Sequence, residues 1–204
     1  PQLLDAGIDA MAVDTCARML ARQLNCPPTH SAGRLFDAVA GLLGFRQRQT
    51  FEGEAAMQLE ALARSHRNAD WQAPEQASWL LRFENGQCQL DLDPMLAHLL
   101  QRRLAGDDSA ALAWYFHQQL TAALADWLQL LAQMQQLDRI VLAGGCFQNS
   151  LLRRWLPQAL ASNPGGCQLQ LLLPQRIPLN DAGVAAGQLW YALPSLLSNH
   201  PSGG

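Results

Sequence analysis

Four short stretches of the sequence place glycine next to a polar or acidic side chain at the boundary of a predicted helix or strand. Glycine permits tight turns and lets a ligand lie close to the backbone, and a carboxylate can accept hydrogen bonds or hold a metal ion. The sequence therefore indicates ligand contacts at element boundaries. These stretches are residues 33–37 (GRLFD), 51–54 (FEGE), 144–149 (GGCFQN) and 180–183 (NDAG).

The third stretch joins an apolar run to an amphipathic helix. Residues 140–142 (IVL) are typical of a short buried strand, and from Asn149 onward the apolar residues have helical spacing. Gly144 and Gly145 remove side chains where the chain turns. This predicts exposed backbone N–H groups at the helix start and a close approach of a ligand to the main chain. A plain strand-to-helix turn is the alternative interpretation.

Three side chains in the sequence, two of them within these stretches, invite a chemical role, and each also has a structural explanation. Asp37 flanks the apolar face of a predicted helix, so it either meets a hydrogen-bonding partner or faces a ligand hydroxyl. Asp181 directly precedes the last predicted helix, where the residues alone favour a helix N-cap. His117 lies on the apolar flank of a long predicted helix, which favours a core histidine with one hydrogen bond. No two histidines have metal-ligand spacing on a helix, so no self-sufficient metal site is predicted.

The composition is that of a folded globular protein. Of the 204 residues, 49% are hydrophobic and only 15% are charged, which suits a chain that buries part of its surface against further domains. The net charge of −3 argues against a broad nucleic-acid-binding surface. The 5 cysteines are dispersed with no C-x-x-C pair, which indicates free thiols in a reducing compartment.

Neither a membrane span nor a signal segment is predicted from the sequence. No apolar run approaches the ~20 residues that a spanning helix needs, and no charged-then-apolar segment opens the chain. The chain begins with Pro1 rather than Met. We interpret it as a piece of a longer protein.

The apolar spacing predicts a helix-rich α/β fold. Asn85-Gly86 is a strong hairpin signal, so two antiparallel strands are expected over 79–91. A strand–helix–strand unit near the C-terminal end predicts a parallel strand pair with a right-handed crossover. Helices are expected over 7–24, from Thr29 or Ser31 to Leu43, over 54–66, over 94–104 and from Asp107 or Asp108 to about 136, followed by strand 139–143, helix 147–161, strand 168–174 and a closing helix.

Five motifs, taken together and in order, resemble the HypF family of carbamoyltransferases in [NiFe]-hydrogenase maturation. They are NCPPTHSAGRLFDAVAGLLGF, FEGEAAMQLEALA, AWYFHQQL, IVLAGGCFQNSLL and IPLNDAGVAAGQ. The resemblance covers about residues 15 to 192. It implies the second half of a domain similar to the tRNA threonylcarbamoyl transferase TsaD, with the ASKHA (actin-like, Hsp70-like, sugar-kinase-like) fold. Residues 1–204 are then expected to form the C-terminal lobe of that domain, with a disordered tail over about 196–204.

The resemblance also implies an activity and its partners. In this family an upstream domain makes carbamoyl-adenylate from carbamoyl phosphate and ATP. The TsaD-like domain then passes the carbamoyl group to the C-terminal cysteine of HypE. The expected partners are therefore HypE and the upstream HypF domains, in the cytoplasm, without membrane or nucleic acid. The isolated fragment is expected to be inactive.

Nucleotide-binding roles follow from the resemblance for five residues. Asp37 resembles the aspartate that binds the nucleotide ribose, and Gly53 resembles the glycine that packs against the nucleoside. Gly144, Gly145 and Asn149 match the adenosine-contacting turn of the fold. The expected ligand is ATP or carbamoyl-adenylate.

A metal-binding role follows from the resemblance for Asp181. It resembles the carboxylate ligand of the active-site metal, which is a divalent ion of the Fe or Zn type. The other family ligands are histidines of an H-x-x-x-H stretch that this chain lacks. The chain also departs from the usual pattern at His30, where serine is common, and at Ala182, where a second glycine is common.

Three alternatives remain open at the level of sequence. Two share the fold, namely an O-carbamoyltransferase of natural-product biosynthesis and a TsaD-like tRNA-modifying protein. The third is a non-catalytic lobe that serves only as a scaffold. The stretches FEGEAA and GGCFQN favour the HypF family over TsaD, whose corresponding segments usually read P-G-G-P and G-G-V-x-A-N.

Overall fold

A computed structural model gives the architecture of the chain. The chain divides into two compact units, Pro1–Leu59 and Glu60–Gly204. The residues that the structure describes are 9–45, 49–66, 70–162 and 169–198.

The first unit is built from helices whose ends the sequence marks clearly. Helix α1 spans Ala10–Ala21, and α2 spans Ala32–Leu42. Ser31 caps α2, because its side chain accepts a hydrogen bond from the backbone N–H three residues on at 3.4 Å. Gly44 follows the helix with a φ of 104°, as expected of a glycine after a helix end. Helix α3, Glu54–Arg64, begins in this unit and continues into the second. The buried residues of α2 are Phe36, Val39 and Ala40.

The predicted hairpin opens the sheet structure of the second unit. Strands β1 (Leu80–Glu84) and β2 (Gln87–Asp91) pair antiparallel. Asn85 and Gly86 have φ values of 52° and 76°, the left-handed pair that a two-residue hairpin turn requires. The predicted hairpin turn is therefore confirmed, and in the structure it pairs Glu84 with Gln87.

A long buried helix forms the centre of the second unit. Helix α4, Asp93–Leu104, starts with Pro94 in its first turn, and α5 spans Ser109–Gln135. Asp108 caps α5 by accepting the N–H of the residue three positions on at 3.0 Å. Helix α5 is buried on more than one side, which explains why its sequence has apolar residues on more than one face. Its fully buried large side chains include Leu112, Phe116, His117 and Thr121.

The predicted strand–helix–strand unit is present with a parallel strand pair. Strands β3 (Arg139–Val141) and β4 (Gln170–Leu172) flank helix α6 (Ser150–Ala161). The helix begins three residues later than predicted because residues Gly145–Gln148 form a 3-10 turn. A core cluster joins α5 to this unit, and its buried members are Ala125, Leu142, Leu156, Ala159 and Leu160. The predicted helix-rich α/β class is confirmed.

A last helix, α7, spans Val184–Ser198 after a 3-10 turn over Asp181–Gly183. Of the expected disordered tail, residues 196–198 belong to this helix, and 199–204 lie outside the described residues. Within the described ranges, no helix combines the length and apolar character needed to cross a membrane.

Candidate functional site

The Gly144–Gly145 turn has open space on its outer side. Gly144 has a φ of 103°, a backbone conformation that other residues rarely adopt. Its N–H donates to the carbonyl of Leu179 at 2.7 Å, which ties the turn to the loop before α7. Beyond the chain neighbours, no atom of the described residues lies within 4 Å of the Cβ position at either glycine. The backbone conformation therefore favours glycine at position 144. At position 145 the backbone would accept another residue, and the absence of a side chain leaves open space beside the turn.

Side-chain oxygens accept hydrogen bonds from the first backbone N–H groups of α6. The N–H of Ser150 donates to Glu60 Oε1 at 3.0 Å, and Glu60 also accepts the Ser150 hydroxyl. The N–H groups of Leu151 and Leu152 both donate to Asn149 Oδ1 at 3.1 Å. The prediction that this helix start exposes free N–H groups is wrong for these three residues. These three N–H groups of α6 are therefore not free to bind a phosphate group.

Asn149 joins this helix start to a buried histidine. Asn149 is 8% exposed and His117 is fully buried. The Nδ2 atom of Asn149 lies 3.0 Å from Nε2 of His117, and His117 Nδ1 lies 2.8 Å from the carbonyl oxygen of Ala113. His117 is thus a core histidine as predicted, but it has hydrogen bonds at both ring nitrogens. Burial lowers its pKa to about 4, because an apolar environment disfavours the charged ring.

Two N–H groups of the turn itself are available to a ligand. Those of Gly145 and Cys146 begin the 3-10 turn, and no described residue accepts a hydrogen bond from either. Partial burial raises the pKa of the Cys146 thiol, so this cysteine lacks the signature of a reactive thiolate. The backbone donors without a partner among the described residues are therefore those of the turn and not the first three of α6.

The first unit contains Asp37 and Gly53, the other two residues with predicted nucleotide roles. Asp37 is half-buried, accepts from Gln49 Nε2 at 3.1 Å and lies 3.5 Å from the guanidinium of Arg34. It therefore has partners within its own unit. Gly53 precedes α3 with a φ of 80°, and no atom of the described residues beyond its chain neighbours lies within 4 Å of its Cβ position. Gly53 shares these two properties with Gly144, but also with the turn glycines Gly44, Gly86 and Gly106, so they do not by themselves mark a ligand site.

Asp181 does not act as a helix cap in the structure. It is exposed and is the first residue of the 3-10 turn, whose N-cap position is occupied by Asn180. No described residue donates a hydrogen bond to its carboxylate. Nearby, a Cβ at Gly183 would lie 2.6 Å from the carbonyl oxygen of Pro178, so this loop requires glycine there. The capping interpretation of Asp181 is therefore wrong, and its carboxylate faces solvent.

The described residues do not form a metal site on their own. Across residues 9–45, 49–66, 70–162 and 169–198, no group of three or more His, Cys, Asp or Glu side chains could hold an ion. A transition-metal site usually has at least three protein ligands. Asp181 and its described neighbours therefore do not make up a metal site by themselves.

Sequence reasoning missed Glu60, the arginine-lined cavity beside α6 and the bond between Asn149 and His117. Glu60 reaches a residue 90 positions away, so no local spacing indicates its role. A cavity of about 300 Å³ beside α6 is lined by Arg64, Ser150, Leu151, Arg153 and Arg154. The Arg153-Arg154 pair after the glycine turn was the feature of the sequence that could have indicated this cavity. Arg64 is distant from that pair in the sequence and lies beside it only in the folded chain.

Comparison with known families identifies the domain type. Residues 5–188 match the family described as "Carbamoyltransferase, Kae1-like Domain, second subdomain". A carbamoyltransferase HypF homolog of Cupriavidus necator is 40% identical over 189 residues, covering 92% of this chain and 46% of that protein. The carbamoyltransferase HypF of Rhizobium leguminosarum is 36% identical over 185 residues, covering 90% of this chain and 22% of that protein.

A solved structure has the same fold. The chain superposes on full-length HypF in its phosphate- and nucleotide-bound form with a TM-score of 0.76 at 27% identity, covering 98% of this chain and 25% of that one. The chain thus spans between about a quarter and a half of the length of these relatives. The predicted resemblance to the HypF family is confirmed. The chain belongs to the HypF family as the second subdomain of its Kae1-like carbamoyltransferase domain.

Proposed function

We propose that this chain is the nucleotide-binding lobe of a HypF-type carbamoyltransferase. In the complete protein it binds carbamoyl-adenylate while the carbamoyl group passes to the C-terminal cysteine of HypE in the cytoplasm. The observation that carries the proposal is the open Gly144–Gly145 turn in a chain of this family. HypE and the upstream HypF domains are the partners.

The turn suits the neutral part of a nucleotide better than its phosphates. Three N–H groups at the start of α6 are bonded to side chains, and one of these is the carboxylate of Glu60. A carboxylate at that position repels a phosphate. The N–H groups of Gly145 and Cys146 can donate to a base or ribose, and the open side of Gly145 leaves room for a flat ring.

In the first unit, Asp37 supplies an acceptor for a ribose hydroxyl. Its present contacts are with Gln49 and with Arg34, whose side chain is 74% exposed. Such exposed contacts contribute little, so a ligand hydroxyl can replace them at small cost. Gly53 leaves space for a nucleoside beside the start of α3.

Asp181 contributes one carboxylate to a divalent metal of the Fe or Zn type. Its exposure and its lack of a hydrogen bond with any described residue leave both oxygens free to coordinate. Histidines from another part of the longer protein complete the site.

The proposal is tested in the full-length protein with Gly145→Val. The added side chain occupies the open space without requiring an unusual backbone, since Gly145 has no positive φ. We expect the affinity for a non-hydrolysable ATP analogue to fall by about tenfold or more, because crowding a contact costs about 1–3 kcal/mol. Calorimetry measures this affinity, and mass spectrometry measures carbamoylation of HypE.

Gln148→Val is the matched control. It places valine in the same 3-10 turn at an exposed position and adds no volume. It should leave both measurements near the parent values. Unchanged nucleotide affinity in Gly145→Val would contradict the proposal and return the glycine pair to a plain turn. Nucleotide binding without any carbamoylation of HypE would contradict the proposed reaction.

A further inference from the structure

His117 is a buried ionisable side chain to which the proposed function gives no role. It lies in the middle of α5, and no part of it is exposed. A buried imidazole costs free energy unless its nitrogens are hydrogen-bonded, so its partners indicate its role.

The hydrogen bonds around the ring determine which nitrogen carries the proton. Nδ1 lies 2.8 Å from the carbonyl oxygen of Ala113, and a carbonyl oxygen only accepts. Nδ1 therefore carries the hydrogen, and Nε2 presents a lone pair. Asn149 Nδ2 lies 3.0 Å from this lone pair and donates to it. The lowered pKa of His117, about 4, keeps the ring neutral at ordinary pH.

The orientation of the Asn149 amide is determined from both sides. Its oxygen accepts two backbone N–H groups of α6, so its NH2 group must face His117. Aspartate would cap α6 equally well, but it has no hydrogen to donate to Nε2. The requirement for asparagine at position 149 therefore comes from His117 and not from the helix cap.

We propose that His117 is a positioning residue that holds Asn149, and through it the glycine turn, in the nucleotide-binding geometry. Asn149 is the residue at which the 3-10 turn Gly145–Gln148 passes into α6. Holding its amide fixes the angle at which the turn leaves the helix, and with it the direction of the Gly145 and Cys146 N–H groups. The inference rests on the proposed function, because the turn's ligand is the nucleotide.

Two substitutions that both introduce a side-chain amide distinguish the roles of the two ring nitrogens of His117. In His117→Gln the amide reaches the former position of Nε2, so it can accept from Asn149. In His117→Asn it reaches only the position of Nδ1, so the bond to Ala113 remains and the bond to Asn149 is lost. We expect His117→Asn to bind the ATP analogue about tenfold more weakly, which corresponds to one buried hydrogen bond. His117→Gln should bind within about twofold of the parent, the factor expected when that bond is retained.

Thr121→Val is the matched control for loss of a buried hydrogen bond on the same helix. Thr121 is fully buried and its hydroxyl donates to the backbone carbonyl of His117 at 2.7 Å, one turn away and without contact to Asn149. This variant should melt at a lower temperature but bind nucleotide like the parent. Equal weakening of binding in Thr121→Val and His117→Asn would reduce His117 to a general packing role and overturn the inference.

Nuclear magnetic resonance of ¹⁵N-histidine in the full-length protein provides a readout independent of nucleotide. We expect His117 to show a protonated Nδ1 and an unprotonated Nε2, and Asn149→Asp to raise the pKa of the ring by placing a carboxylate at Nε2. A protonated Nε2 in the parent would overturn the inference whatever the nucleotide data show. A parent that binds no nucleotide would overturn the proposed function as well. A parent that binds, with His117→Asn binding equally well, would overturn this inference alone.

Discussion

The side chain of Asp181 illustrates how a single residue changes meaning between sequence and structure. Before a helix, an aspartate is usually an N-cap, and position 181 satisfied that pattern. In the structure its carboxylate accepts nothing from the described residues, and Asn180 holds the cap position without a side-chain bond. Its carboxylate therefore makes no side-chain cap among those residues, and the metal-ligand role that we propose for it requires a direct test.

This leads to a prediction for Asp181→Asn in the full-length protein. Asparagine keeps the size and one oxygen but removes the charge that a divalent ion needs, so we expect the bound metal and carbamoyl transfer to be largely lost. The melting temperature of the metal-free protein should stay within about 1 °C, because surface changes cost at most ~0.5 kcal/mol. Elemental analysis and thermal denaturation measure both on the same samples.

Asp138→Asn is the matched control for Asp181→Asn. Its side chain is 81% exposed and is paired only with the neighbouring Arg139 at 3.9 Å. Metal content and activity should be those of the parent. Normal metal content in Asp181→Asn would show that this carboxylate is not a ligand.

At the scale of elements, the features that the sequence predicted are those set by neighbouring residues. The Asn85-Gly86 turn fixed the hairpin, and the caps Ser31 and Asp108 fixed the starts of α2 and α5. Each of these depends on residues at most four positions apart. The hydrogen bonds at the start of α6 could not be predicted from neighbouring residues, because they depend on Glu60 and His117, which come from distant parts of the chain.

The α6 start gives the second prediction, for Glu60. Its carboxylate accepts both the N–H and the hydroxyl of Ser150 and carries negative charge at a helix N-terminus. Glu60→Ala leaves these donors without a partner, which costs about 1–3 kcal/mol, whereas Glu60→Gln keeps an acceptor and should cost roughly half as much. Hydrogen exchange at the amides of residues 150–152 measures the effect locally.

Glu75→Ala serves as the control for the Glu60 variants, since Glu75 is an exposed glutamate of the same unit. It should leave the exchange of residues 150–152 unchanged. If these amides exchanged in Glu60→Ala at the parent rate, Glu60 would not stabilise the helix start, and the argument that these N–H groups are not free to bind phosphate would lose its main support.

At the scale of the whole molecule, the chain has the fold of one subdomain and spans only part of the length of its relatives. It spans 46% of one HypF relative and 22% of another. Its last helix leaves large apolar side chains in solvent, with Trp190 79% and Tyr191 86% exposed. Both side chains are therefore available for contact with another part of a longer protein. Resemblance to a family could supply the identity of the domain, whereas the described residues hold no cluster of three ligands that could bind a metal by itself.

The last prediction concerns the activity of the isolated chain. Purified chain 1–204, given carbamoyl phosphate, ATP and HypE, should produce no carbamoylated cysteine above the level of a reaction without protein. There are two reasons. The upstream domain that is expected to make carbamoyl-adenylate is not included in residues 1–204. In addition, Asp181 alone cannot retain a metal, since a stable site needs three or more ligands and the described residues supply no such cluster. Mass spectrometry of the HypE C-terminus measures the product, full-length protein in the same buffer is the positive control, and circular dichroism verifies that the chain is helical. Transfer by the isolated chain at a rate comparable to that of the full-length protein would show that its own residues complete the reaction. That outcome would remove the need for the metal that we assign to Asp181.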